Sequence, residues 1–359
     1  MSFQGCKIIQ LVYARTISPD SRLTPVYGRG LCGKILFRPD YNVAPLMKNI
    51  LIALSLLFCS SVVLADSETT LPENLQSLDT ANISLGSVNA KVVDVESGVT
   101  LFAKNPETVA PIASISKLMT AMVVLDAELP LDEMLTITEE DIDTWKNTYS
   151  RMRIGAVLPR SELLLLALMS SENRAALALG RTYPGGMTAF VSAMNDKARA
   201  LGMRNTRFVE PSGLSMENVS TASDLVKMVS TASRYKLIRD YTTTPSYMIK
   251  LGETENEMEF RNTNLLVRQG DWGVNLSKTG FINEAGRCLV MLANVGERPV
   301  AMVLLDSYGR RTPVGDANRI KQWIVTGKSA PVAGAALKYE QEKNSGVFQT
   351  AAMDDDTQS

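Results

Sequence analysis

Histidine is absent from this chain of 359 residues. That absence excludes any hydrolase in which an imidazole takes the proton of a nucleophilic serine, and any zinc site that needs a histidine nitrogen. Cysteine is scarce: Cys6, Cys32 and Cys59 crowd the first 59 residues and Cys288 stands alone. With one cysteine left beyond the N-terminal segment, an internal disulfide is excluded there. Neither sign of charge is in excess, with 37 basic and 38 acidic side chains, so the chain lacks the basic balance of a nucleic-acid or anionic-lipid binder. The composition, 45% hydrophobic and 21% charged, is that of an ordinary globular protein with a substantial core.

Long hydrophobic runs are also lacking. The most apolar stretch, Ile50 to Phe58, follows Met47-Lys48-Asn49 and precedes Val63-Leu64-Ala65. It is short for a membrane span and ends in small residues suited to cleavage, so residues 47–65 read as a secretory signal peptide cut after Ala65. Residues 1–46 show no periodicity and lie upstream of a complete signal, and translation is expected to begin at Met47. The first 65 residues carry 7 of the basic and 2 of the acidic side chains, leaving a mildly acidic product with 30 basic and 36 acidic groups.

Two short strands joined by a turn at Glu96-Ser97-Gly98 are expected over residues 83–104. Helices follow over 114–127, 161–169, from Asn173 onward, 187–200 and 221–233. Beyond Gly273 the pattern changes to short strands at 275–279, 287–295 and 300–306, close enough in sequence to be antiparallel. A helix over 316–326 closes the sequence of elements, and residues 329–359, ending in Asp354-Asp355-Asp356, read as a disordered acidic tail. The expected architecture is α/β (α+β): an antiparallel sheet built from both chain ends, flanked by helices, with a helical lobe inserted. Residues 66–328 would form the catalytic domain.

Three short motifs carry chemistry. Ser114-Ile115-Ser116-Lys117 places a lysine one helical turn after a serine, and Lys117 is the only charged residue between Ser114 and Leu125. A helix apolar on nearly every face is buried, and a buried ammonium is retained only if it is paired or used. A second Ser-x-x-Lys, Ser233-Arg234-Tyr235-Lys236, lacks that apolar context. Ser171-Glu172-Asn173 interrupts two apolar segments, and Lys278-Thr279-Gly280 falls in an expected strand. Taken singly these read as a helix cap, an inter-helix turn and a strand end. Their joint order points to acyl transfer in which lysine is the base. To act so, Lys117 must shed its proton near pH 7, about three units below the reference near 10.4, or about 4 kcal/mol of bias. Burial and repulsion from Lys278 are the expected causes.

With the flanking stretches Pro111 to Thr120, Met169 to Ala176, Phe208 to Ser215, Asn218 to Ala222 and Phe260 to Asn264, these motifs resemble the low-molecular-mass penicillin-binding serine DD-peptidases, and among them the D-alanyl-D-alanine endopeptidases. The resemblance spans roughly residues 83–328. It implies the serine β-lactamase/DD-transpeptidase fold, a periplasmic location, no cofactor and no metal. It further implies cleavage of the D-alanyl peptide cross-links of peptidoglycan, with β-lactam antibiotics as covalent inhibitors. Ser114 would be the nucleophile and Lys117 its base, Ser171 the proton relay to the leaving amine, and Asn173 a holder of Lys117 and of the substrate amide. Lys278 and Thr279 would bind the carboxylate beside the scissile bond. Gly280 would let substrate approach the strand edge, and the N–H groups of Ser114 and Phe281 would form the oxyanion hole.

Three other readings remain. A DD-carboxypeptidase would share every motif. A β-lactamase is suggested by Glu210-Pro211, although Ser212-Gly213-Leu214 continues in the peptidase pattern. A non-catalytic penicillin- or wall-binding module would need no retained catalytic set. Related carboxypeptidases add a β-rich domain and an amphipathic anchor after the Lys-Thr-Gly motif, and no basic amphipathic helix follows Lys278 here, so no stable membrane anchor and no nucleic-acid partner are expected.

Overall fold

The structure is a computed structural model that describes residues 73–250 and 257–345. All of them fall within one unit of the chain, Ser67–Ser359. The expected leader at 47–65, the stretch before it and the tail beyond 345 lie outside the described residues.

In chain order the elements are α1 (Glu73–Gln76), β1 (Ser87–Asp94), β2 (Thr100–Lys104), β3 (Ala110–Pro111), α2 (Ser116–Asp126), β4 (Met134–Thr136), β5 (Val157–Pro159), α3 (Arg160–Met169), α4 (Asn173–Arg181) and α5 (Gly186–Ala200). They continue with β6 (Val219–Ser220), α6 (Ala222–Ala232), α7 (Lys236–Thr242), β7 (Ser246–Lys250), β8 (Glu257–Arg261), α8 (Leu265–Gln269), β9 (Val274–Ile282), β10 (Gly286–Val295), β11 (Arg298–Ser307), α9 (Thr312–Thr326) and α10 (Gly334–Asn344).

Five strands form an antiparallel sheet in the order β2-β1-β11-β10-β9, so the two chain ends meet at the β1–β11 pairing and β9 is an edge. β10 and β11 read as nearly continuous apolar runs because both of their faces are covered. With side chains alternating across the pleat, Val290, Leu292, Ala301, Val303 and Leu305 join the core shared with the helical lobe. Leu289, Met291, Val300, Met302 and Leu304 join a second core with Trp323 and Ile320 of α9. The β1–β2 turn forms as expected, with Gly98 at φ +73° and Ser97 donating its N–H to Asp94 Oδ1 at 2.8 Å.

The expected helices and strands are present with small shifts at their ends. α2 is preceded by a 3₁₀ turn at Ala113–Ile115, and α9 begins four residues early, with Pro313 in its first turn. The β7–β8 hairpin and the short helices α7 and α8 lack a clear apolar period and were not anticipated.

The expectation of disorder from residue 329 is corrected for 334–344, which form α10. Little apolar area marks this helix in sequence, because it is held by long-range polar contacts. Tyr339 donates to Asp306 Oδ1 at 2.6 Å, Lys343 pairs with Asp306 at 3.1 Å and Lys104 with Glu340 at 3.3 Å, while Ala336 is buried against the chain at Gly86.

Candidate active site

Ser114 sits in the 3₁₀ turn that leads into α2, and its position rests on close backbone packing. Ala113, just before it, is held at φ +48°, a conformation costly for a residue with a side chain. Gly213 lies against that peptide so closely that a Cβ there would come within 1.9 Å of the Ala113 carbonyl oxygen. On the other side is Gly280 of β9, where a Cβ would be 3.0 Å from the Ile112 oxygen and 3.1 Å from Ser114 N. Glycine at 280 thus has a second reason beyond the open strand edge: β9 packs directly on the nucleophile's turn.

Lys117, one turn on, is fully buried. Its Nζ donates to Ser114 Oγ at 2.8 Å, to Asn173 Oδ1 at 2.8 Å and to the Ser212 carbonyl at 2.5 Å. The Asn173 amide orientation follows from a chain of donors. The Asp143 carboxylate only accepts, so Thr148 Oγ1 donates to it at 2.8 Å. Thr148 Oγ1 therefore accepts from Asn173 Nδ2 at 2.9 Å, which turns Asn173 Oδ1 toward Lys117. The Asp143 carboxyl itself is buried, which alone would raise its pKa, but the N–H groups of Thr148, Lys146 and Trp145 outweigh that and hold it below its ordinary value.

Ser171 lies between α3 and α4 at φ +63° and accepts a 2.9 Å bond from Lys278 Nζ. Lys278, fully buried on β9, also donates to the Thr279 carbonyl at 2.9 Å. Thr279 Oγ1 instead meets Thr263 Oγ1 at 2.6 Å. Ser114, Ser171, Asn173, Thr279, Gly280 and Phe281 line one cleft of 810 Å³. Cys288 borders it but is buried, which pushes its thiol up to about 12 and leaves it inert.

Burial pulls Lys117 down from its ordinary 10.5 to about 8, while Glu210, Glu172 and Asp143 act to raise it. Lys278 is drawn well below its usual value by burial and then by the charge of Lys117. The repulsion expected to depress Lys117 thus falls on Lys278, because Lys117 has three carboxylates near it and Lys278 has none of comparable influence.

Glu210 is a contributor for which the sequence reading names no role. Its buried carboxylate accepts from Ser212 N and Gly213 N at 2.6 Å each and from Ser212 Oγ at 2.5 Å. Asn218 Nδ2 bridges it at 3.1 Å to Ser116 Oγ at 3.0 Å. Glu210 thereby folds the turn that offers the Ser212 carbonyl to Lys117 and places Gly213 under Ala113. The second Ser-x-x-Lys is ordinary surface by contrast: Lys236 is exposed and pairs with Asp240 at 2.5 Å.

The D-alanyl-D-alanine carboxypeptidase family matches residues 76–309, which span Ser114, Lys117, Ser171, Asn173, Glu210 and Lys278. The chain belongs to this family. It is 45% identical over 310 residues to a D-alanyl-D-alanine endopeptidase of Pseudomonas aeruginosa, covering 86% of this chain and 99% of that one. It is 50% identical over 259 residues to a D-alanyl-D-alanine endopeptidase of Escherichia coli, covering 72% and 84%. Among solved structures, a Streptomyces DD-transpeptidase superposes with a TM-score of 0.64 at 29% identity, covering 68% of this chain and 98% of that one. A Listeria monocytogenes penicillin-binding protein in its ampicillin-bound form gives 0.58 at 31% identity, covering 68% and 99%. The fold expected from sequence is therefore the fold of this DD-peptidase.

Proposed function

We propose that the chain is a penicillin-sensitive serine DD-endopeptidase that hydrolyses the D-alanyl cross-links of peptidoglycan through an acyl-enzyme on Ser114. The observation that carries the mechanism is the hydrogen bonding of Lys117. A neutral amine has two N–H donors, and two fixed acceptors, Asn173 Oδ1 and the Ser212 carbonyl, take them. The remaining lone pair then faces Ser114 Oγ, 2.8 Å away, ready to accept its proton as the oxygen attacks the D-alanyl carbonyl.

Negative charge on the carbonyl oxygen is met by the N–H groups of Ser114 and Phe281. As the C–N bond breaks, Ser171, which accepts from Lys278 Nζ at 2.9 Å, delivers a proton to the leaving amine, and the proton that Lys117 took from Ser114 replaces it. Water then hydrolyses the ester and Ser114 recovers its proton. Among the described residues Lys278 has no counter-charge, and the substrate carboxylate supplies one, with Thr279 Oγ1 as a second donor. Gly280, on an edge strand, leaves room for extended substrate to pair with β9.

Residues 66–328, extended by α10, form the catalytic domain in this reading, exported to the periplasm by the signal at 47–65. No helix among the described residues is long and apolar enough to cross a membrane. The deciding experiment incubates wild type and Ser114→Ala with purified cross-linked muropeptide dimers and follows products by mass. Monomers from wild type alone support the endopeptidase. Release of terminal D-alanine with dimers intact makes it a carboxypeptidase, and rapid penicillin turnover without peptide products makes it a β-lactamase.

A further inference from the structure

The cleft continues past the nucleophile onto the opposite face of β9, and its walls there are basic. Along β9, Lys278 and Gly280 face the helical lobe, so Thr279 and Phe281 face the other way, paired with Leu289 and Arg287 of β10. This outer part of the cleft is lined by Arg268 from α8, Arg287 from β10, and Arg310 and Arg311 just before α9. Arg268, Arg310 and Arg311 are exposed; Arg287 is half-buried, its guanidinium stacked 3.5 Å from the centre of the Phe281 ring.

None of the four forms an ion pair with a carboxylate among the described residues. Elsewhere the same chain pairs its arginines readily: Arg160 with Glu133, Arg181 with Asp141, Arg261 with Glu259, Arg298 with Asp94 and Arg319 with Asp316. The four come from three separate elements, 43 residues apart at their extremes, yet border one cavity. Burial and the nearby Arg310 charge both lower the pKa of Arg287, the sign of cations gathered without compensation. Four uncompensated guanidinium groups beside a reactive serine, in a chain with no net basic excess, mark a site whose missing anions arrive with the ligand.

We propose that this groove is a subsite for carboxylates of the cross-linked peptide other than the one beside the scissile bond, so that the enzyme selects cross-links whose side carboxylates are free over those in which they are amidated. The inference rests on the peptidase reading and deepens it. Planar guanidinium groups bind carboxylates through paired N–H donors, and the Phe281 ring holds Arg287 flat for such a contact.

The test uses two muropeptide dimers, identical except that the side carboxylates are free in one and amidated in the other, the carboxylate at the scissile bond being free in both. Wild type is expected to cleave the free-acid dimer with kcat/KM about tenfold higher, as suits a few partly exposed charge-assisted contacts, and the preference should shrink with added salt. In Arg268→Gln/Arg287→Gln the preference should fall to near unity through loss on the free-acid dimer alone. Arg268→Lys/Arg287→Lys should restore much of it. Equal rates on the two dimers in wild type, or a Gln variant that loses both substrates alike, would overturn the proposal. Equilibrium binding of both dimers to Ser114→Ala separates it from the peptidase reading. If wild type cuts neither dimer, a tighter fit of the free-acid form that the Gln pair abolishes still upholds the subsite, and equal binding sinks it.

Discussion

On the inner face of β9 the cations are buried lysines set among fixed partners: Lys117 fills three acceptors and Lys278 two. On the outer face of the same strand the cations are arginines, mostly exposed, with no acid partner among the described residues. The difference teaches how one strand divides chemistry from recognition. Lysine changes protonation state when buried, and so serves where a proton must move. Arginine keeps its charge, and so serves where an anion must be held.

The largest effect expected on the inner face follows removal of the reacting groups. Ser114→Ala and Lys117→Ala should each lower dimer cleavage by about 10³-fold or more, with penicillin labelling of the nucleophile lost in the first and slowed in the second. A Lys117→Ala enzyme that still acylates at the wild-type rate would show that another group takes the serine proton. Next comes Gly213→Ala. Its Cβ would collide with the Ala113 carbonyl, and the φ of +81° at this position is strained for any other side chain. We expect a loss of about 3 kcal/mol or more in stability, seen in thermal melts, together with loss of penicillin labelling.

A third change addresses the outer layer alone. The buried Asp316 carboxylate accepts from Gly86 N at 3.0 Å, Ser87 N at 2.8 Å and Ser87 Oγ at 2.6 Å, tying α9 to the start of β1. Asp316→Ala strands the Gly86 and Ser87 N–H groups, takes the carboxylate from Arg319, and should cost about 3 kcal/mol. Penicillin acylation by the folded fraction should be unchanged. A fall in its rate constant would mean that the outer layer feeds into the chemistry and that the division across β9 is false.

How much of this division could be read from sequence depends on the range of the interactions. The strands β10 and β11 and the helix α2 announce themselves because their apolar runs are local, and the three motifs were legible because each is three or four residues long. Lys117 stood out as the one charge between Ser114 and Leu125. Glu210 was visible but read as a superficial match to another enzyme class, since its work, folding Ser212 and Gly213 back onto Ala113, is a contact across about 100 residues. α10 escaped notice because Tyr339, Glu340 and Lys343 find their partners on distant strands. The outer arginines were illegible for a related reason. Scattered from 268 to 311, they look like ordinary surface until the fold sets them around one cavity without acids.

The smallest effect is the most discriminating. Lys117 reacts as the neutral amine, and its pKa sits at about 8, so the rate of acylation by penicillin should climb with pH and level off above that value. The groups that set the limb are known: burial lowers it, while Glu210, Glu172 and Asp143 raise it by favouring the ammonium. Of the three, Glu172 is partly exposed and holds only Ser150 among the described side chains, whereas Glu210 and Asp143 are buried and organise turns. Glu172→Gln removes one negative charge without dismantling a turn. The ammonium is then less favoured, the pKa of Lys117 falls, and the limb moves to lower pH, so the variant acylates faster than wild type below pH 8 and equally on the plateau. The outer-face pair Arg268→Gln/Arg287→Gln, tested beside it, should leave the limb where it is. A limb that shifts with the arginines and not with Glu172 would place the electrostatic control of the base on the wrong side of the strand.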